Sequence, residues 1–336
     1  MTDTAPAREV AADDESDERA STRATLRTRV LRPALSALAA AALLAGLLIA
    51  VHQEDWSSLA DLLRPRSIPL LALASLANLV GLLLAMASWW VLLVDMAGPV
   101  GFARSARTYF TGVISKLVPG RVWTLLIHIR FALSIGVTAG RITTVFLAST
   151  LVGLFTGAAV GLSVAPAMLG ARAAWLTLPA LIVVVCLARP ELVERLAAIL
   201  ARTVRRPTLV LSASSRAVRR SLALGLISWL VSGLNLWIIA VMLGAPMLGS
   251  LPLCIGGFAL ATVGGSLVLI LPDGWGIREL LLTVALRGEM PWSHAAAAAI
   301  ASRFVVLVSE VAGGLAALAA GRRADRTRAE EQRSRE

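Results

Sequence analysis

The sequence predicts an all-α polytopic membrane protein of about seven to eight transmembrane helices, with two Pro/Gly-broken segments arranged as a loose internal repeat. Three observations carry this reading. Of the 336 residues, 57% are hydrophobic and 16% charged, whereas soluble domains carry about 25% charged residues. Uncharged runs recur at the roughly 20-residue length that a bilayer requires. Two stretches, "LVPGRVW" and "VLILPDGWGIRELLL", interrupt such runs with Pro and Gly.

Taken in order, residues 1–30 form a cytoplasmic tail expected to be disordered, because the first 22 are polar and charged without an apolar period. An integral membrane domain follows over 31–320, and an Arg-rich tail expected to be disordered closes the chain at 321–336. Candidate spans are 31–51, 68–94, 142–166, 173–188, 221–244, 250–271 and 294–320. The acidic cluster Asp13, Asp14, Glu15, Asp17 and Glu18 ahead of the first span fits an anchor better than a cleaved signal peptide.

The net charge is +11, nearly all of it from arginines beside spans: Arg23 to Arg32, Arg195 to Arg220 and Arg322 to Arg335. These read as cytoplasmic flanks on anionic lipid, with no nucleic acid as partner. They place a multi-pass protein in the inner or plasma membrane with a cytoplasmic N-terminus. The Arg189 to Ser221 connection also carries Leu192, Leu196, Ile199 and Leu200 at helical spacing, which suggests a helix on the membrane face. Counting seven spans from inside leaves the Arg-rich C-terminus outside, so one broken segment is expected to cross fully, with 276–286 the candidate.

From Phe102 to Leu117 the chain is amphipathic. Phe102, Ala106, Tyr109, Phe110, Val113 and Leu117 share one helical face, while Arg104, Arg107, Thr108, Thr111 and Ser115 share the other. Pro119 and Gly120 then break the helix before a mostly apolar one from Val122 to Leu133. The pair can be a re-entrant hairpin or a helix lying flat on the membrane. Setting Pro119 over Pro272 also sets Gly161 over Gly314, 42 residues further on in each copy. Interrupted segments at corresponding places in two halves are the sequence pattern of a transporter-type site.

The candidate residues cluster at these breaks. Arg303 and Glu310 lie two turns apart on one face of the last span, where each charge costs roughly 2.5–3.5 kcal/mol at mid-membrane. An ion pair, direct or with Arg278 and Glu279, that locks the last helix to the broken segment and a role in binding a charged headgroup are both compatible with them. After Gly274 and Gly276, the resumed helix begins with Arg278 and presents Glu279, Thr283 and Arg287 as a polar stripe. Its free amides favour an anion, and Asp273 competes for them as an N-cap. Around the first break stand Lys116, Pro119, Gly120, Arg121 and Arg130.

Elsewhere simpler roles suffice. Gly153, Gly157 and Gly161 favour close helix packing, within one chain or between copies in a homo-oligomer, and Trp89 and Trp90 an interfacial anchor or packing. Cys186 and Cys254 lie inside spans, and His52, His128 and His294 are scattered, so neither a disulfide nor a metal site is expected. No nucleotide loop or Ser-His-Asp set is present. No cofactor and no enzyme activity are expected.

The runs "KLVPGRVW" with "RFALSIGVTAGRI", and "LPDGWGIRELLL" with "AAAIASRFVVLVSEVAGGLAAL", resemble the membrane region of the lysylphosphatidylglycerol synthase and multiple peptide resistance factor family, over roughly residues 35–320. The family pattern at the second break resembles Pro-Gly-Gly-x-Gly-x-Arg-Glu, carried here by Pro272, Gly274, Gly276, Arg278 and Glu279, with Asp273 where the first Gly is expected. Some family members make aminoacylated phosphatidylglycerol in a separate cytoplasmic domain, and no segment here has room for one. The resemblance therefore implies the translocation half of that activity.

The expected function is flippase-like translocation of a membrane lipid, an anionic phospholipid or a polyprenyl-phosphate-linked one, bound between the two breaks. A non-transporting scaffold that recruits a lipid-modifying or envelope-glycan enzyme through the Arg189 to Ser221 connection is the alternative. A membrane-embedded transferase is the weakest reading, with Asp95, Asp273 and Glu279 as its only plausible carboxylates.

Overall fold

The computed structural model describes residues 62, 64–116, 122–166, 171–189, 213–267 and 274–333. The tail 1–30, the span 31–51, most of the Arg189 to Ser221 connection, and Pro119, Gly120, Arg121, Pro272 and Asp273 lie outside the described residues. Among the described residues the chain is wholly helical. The helices are α1 (Ile68–Ala97), α2 (Phe102–Ser115), α3 (Val122–Ser134), α4 (Ala139–Ser163), α5 (Leu178–Ala188), α6 (Ser215–Met242), α7 (Ser250–Leu267), α8 (Ile277–Leu286) and α9 (Trp292–Arg333). Five of them, α1, α4, α6, α7 and α9, contain stretches long and apolar enough to cross a membrane.

Local chemistry sets these limits. Thr138 and Ser214 cap α4 and α6, their hydroxyls accepting from the amides of Arg141 and Ala217. Gly98, at φ 93°, lets the chain leave α1 through a conformation that costs other residues energy. At the other end α9 runs on to Arg333, where the sequence reading has a disordered tail from 321. Past Gly321 the residues are mostly Ala, Arg and Glu, strong helix formers without a Pro to stop them, so a helix already begun in the apolar span propagates.

Helices α1 and α6 pack antiparallel along most of their length. The Ser214 amide donates to Asp95 Oδ2 at 2.6 Å, Ser88 Oγ donates to the Ser221 carbonyl at 2.8 Å, and Ser228 Oγ donates to the Gly81 carbonyl at 2.8 Å. As numbers fall on α1 they rise on α6. A Cβ on Gly81 would collide with Ser232, so the backbones meet closely there. On the outward face of α1, Leu70, Leu73, Leu76, Val80 and Leu83 are exposed, as a lipid-facing surface requires.

Both broken segments are antiparallel helical hairpins. In the first, Ser115 Oγ and Thr124 Oγ1 lie 3.0 Å apart, and a Cβ on Gly112 would stand 3.0 Å from His128. In the second, Gly265 backs onto Gly274 and Arg278, Gly264 onto Leu281, and Gly257 onto Ala285. The first segment is thus a hairpin and not a lone helix lying flat. Thr108, expected on the polar face of α2, is buried, and its hydroxyl is satisfied by the Arg104 carbonyl at 3.1 Å, whereas Phe102 at the helix start is exposed. The second hairpin corrects the expectation that 276–286 crosses: α8 has ten residues, about 15 Å of helix, and returns alongside α7.

The repeat has a physical counterpart in cross-packing. Gly161 of α4 accepts the backbone of Leu260 in α7, where a Cβ would approach to 2.8 Å, and its repeat partner Gly314 of α9 accepts Ile114 of α2 at 2.5 Å. Each half lays the first arm of its hairpin on the long final helix of the other. Since α1 and α6 occupy equivalent places and run antiparallel, the two halves are inverted relative to each other.

Candidate functional site

Residues flanking both breaks reach the middle of α9. At the end of α2, one residue past its last helical turn, Lys116 Nζ meets Glu310 Oε1 at 2.6 Å. At the start of α8, Glu279 Oε1 lies 3.9 Å from Arg303 Nε. Arg303 and Glu310 are seven residues apart, about 10 Å along one face of α9. A single helix therefore receives one ion pair from each hairpin.

Burial gives the pairs their weight. Glu310 is 2% exposed, so removing Lys116 would strand a buried carboxylate at a cost of about 3–5 kcal/mol. The Glu279–Arg303 contact is longer, and each member has a second engagement. Glu279 Oε2 accepts the Gly276 amide at 2.6 Å, and the Arg303 guanidinium lies 5.4 Å from the Trp275 ring centroid. Gly276, at φ 82°, is the N-cap of α8, so the carboxylate on that helix start is Glu279 of its own first turn.

Arg278 is 3% exposed and faces into its own hairpin, its guanidinium carbon 4.9 Å from the Phe258 ring of α7. Its Cβ packs beside Gly265, which also backs onto Gly274 at φ 67°. The glycines of the second break serve first to bring two backbones together. Thr283, the next member of the polar stripe, is buried and bonds the Glu279 carbonyl at 2.8 Å, while Arg287 is exposed at the far end. Arg130 is not brought to the site: it is exposed on α3, about two turns from the tip. Of the expected residues, the structure gathers Lys116, Glu279, Arg303 and Glu310 on α9 and encloses Arg278 beside them in the hairpin.

Other features were not legible from motifs. Asp95, a carboxylate the weakest reading would use in catalysis, accepts from both the amide and the hydroxyl of Ser214, and so ties α6 to α1. His128 is buried in an aromatic cluster, its ring 5.1 Å from Trp89 and 5.3 Å from Phe146, with Nδ1 2.7 Å from the Thr124 carbonyl. Trp89 is packing, and Trp90 bonds the Val100 carbonyl at 3.1 Å to hold the α1–α2 turn. Asn235 accepts from Ser302 at 2.6 Å, and Ser309 donates to the Ser75 carbonyl at 3.0 Å, fastening α9 to α6 and α1. Such hydroxyl and amide residues are too common in apolar helices for spacing to single them out.

Fold and site together define a multi-pass, all-α membrane protein with two inverted halves whose broken hairpins meet on one helix. The chain belongs to the family described as the lysylphosphatidylglycerol synthase TM region, which matches residues 32–314. A comparison with curated proteins found no match.

Proposed function

We propose that this chain is a lipid translocase, flippase-like, which binds the phosphate-bearing headgroup of an anionic phospholipid or polyprenyl-phosphate-linked lipid between its two hairpin tips. The observation that carries the reading is the convergence of both tips, with Lys116 and Arg303 as cations, on the middle of α9. Charges at that depth are costly and mark a pathway more often than a scaffold. Inverted halves supply the symmetry alternating access needs, since a rearrangement of one hairpin has a mirrored counterpart in the other.

The same geometry supports an orientation. If both hairpins return to the side they enter, the ends of α1 and α5, the start of α6 and the end of α9 share one side. That side carries Arg104, Arg107, Arg189, Arg216, Arg219, Arg220 and the arginines from Arg322 onward, and is the cytoplasmic one under the positive-inside rule. A span at 31–51 then leaves the N-terminus cytoplasmic as well, in the inner or plasma membrane.

The test is reconstitution into vesicles carrying a headgroup-labelled phosphatidylglycerol, with label on the outer leaflet destroyed chemically. Faster loss of protected label than in protein-free vesicles supports transport, and Lys116→Gln with Arg303→Gln should abolish the difference. Equal rates with and without protein, for this lipid and for a polyprenyl phosphate, reject translocation.

A further inference from the structure

Resting on that reading, we propose that the anionic headgroup enters the Lys116 end of the site together with one proton, which is carried on Glu310. Lys116 Nζ is held by Glu310 at 2.6 Å. A phosphate oxygen that takes this ammonium must displace the carboxylate, and Glu310, 2% exposed, has no water to turn to. Protonation removes the stranded charge. The proton comes from water on the side from which the lipid enters, and returns to water on the other side when Glu310 again pairs with Lys116. One negative charge and one proton cross together, so the loaded site, lipid phosphate included, carries the same net charge as the empty ion pair.

Among the described residues the surroundings of Glu310 offer no ready substitute for this proton. From α2, Lys116 faces it and Tyr109 lies within its electrostatic reach. From α8, Arg278 and Glu279 stand at the other tip, with Glu279 engaged by Arg303 and the Gly276 amide. The α1 and α6 groups that hydrogen-bond α9 here are the Ser75 carbonyl and the Asn235 side-chain amide, neither of which titrates.

The experiment is binding of short-chain phosphatidylglycerol to the full chain in nanodiscs between about pH 5 and pH 8, a range in which a phosphodiester keeps one charge. Uptake of one proton makes the apparent affinity weaken about tenfold for each unit of rising pH. Glu310→Gln, already neutral, should bind with little dependence on pH. As a measurement that needs no variant, adding lipid to the wild-type protein in weak buffer should take up about one proton per lipid bound. A flat pH profile without proton uptake overturns the inference and leaves translocation standing, as does a slope that persists in Glu310→Gln. No binding at any pH removes both. Inorganic phosphate as competitor separates the sources: displacement assigns the site to the phosphate group alone, no displacement assigns it to the lipid, and the pH slope decides proton linkage in both cases.

Discussion

Glu310 and Lys116 are separated by 194 residues in sequence and by 2.6 Å in space. Lys116→Leu is expected to lower stability by about 3–5 kcal/mol because it strands the buried Glu310, and pairing it with Glu310→Ala should recover part of the loss, because the double variant strands no charge. Thermal unfolding in nanodiscs measures both. The charged residues of the site were legible in the sequence because charge is rare in apolar helices, and Glu279 was among the partners expected for the last helix, but Lys116 as the partner of Glu310 was not. Spacing along α9 joins Arg303 to Glu310, whereas each in fact binds a different hairpin. Gly274 makes a second residue-scale test. At φ 67°, with Gly265 Cα 2.5 Å from an added Cβ, Gly274→Ala should cost at least about 1–3 kcal/mol, whereas Gly288→Ala, facing open space, should be near neutral in the same assay.

Among elements, the glycine stripe of α4 divides by position. Gly157 would drive a Cβ into Trp229 and Val263, and Gly161 into the Leu260 backbone, whereas Gly153 has nothing within 4 Å. Gly161→Val should therefore be destabilising by about 1–3 kcal/mol and Gly153→Ala tolerated, a contrast that yields of folded, monodisperse protein would show. The sequence made the stripe visible but not its partner, which is α7 of the other half. The hairpins were half legible. Pro and Gly marked where the helices break, yet whether the arms fold back on each other depends on Gly112, Gly257 and Gly265 meeting residues across the break, and an isolated Gly in an Ala/Leu-rich helix announces no partner. The 10-residue α8 reads as a candidate crossing because charge counting asks for an even number of spans and hydropathy registers apolarity without direction.

For the whole molecule, the inverted arrangement makes a labelling prediction. With Cys186 and Cys254 replaced, a cysteine at Thr138 and one at Met247 should react with a membrane-impermeant reagent from opposite sides of oriented vesicles. A cysteine at Ser214 should react from the same side as Thr138. Reaction of Thr138→Cys and Met247→Cys from one side would overturn the inversion. The count of crossings was the least legible property of this chain, because hydropathy does not say whether the arm after a break continues across or folds back along the arm before it.

The hydroxyl bonds between α1 and α6 bear on how the chain is made. Ser88 and its acceptor at Ser221 are 133 residues apart, and Ser228 and Gly81 are 147 apart. At about 5–20 residues per second, α1 leaves the ribosome roughly 7–30 s before its partner exists. During that interval Ser88 and the Gly81 carbonyl have no α6 to meet. The newborn first half is therefore the stage of biogenesis most dependent on the insertion machinery, and the stage at which loss of that machinery would send the protein to proteolysis.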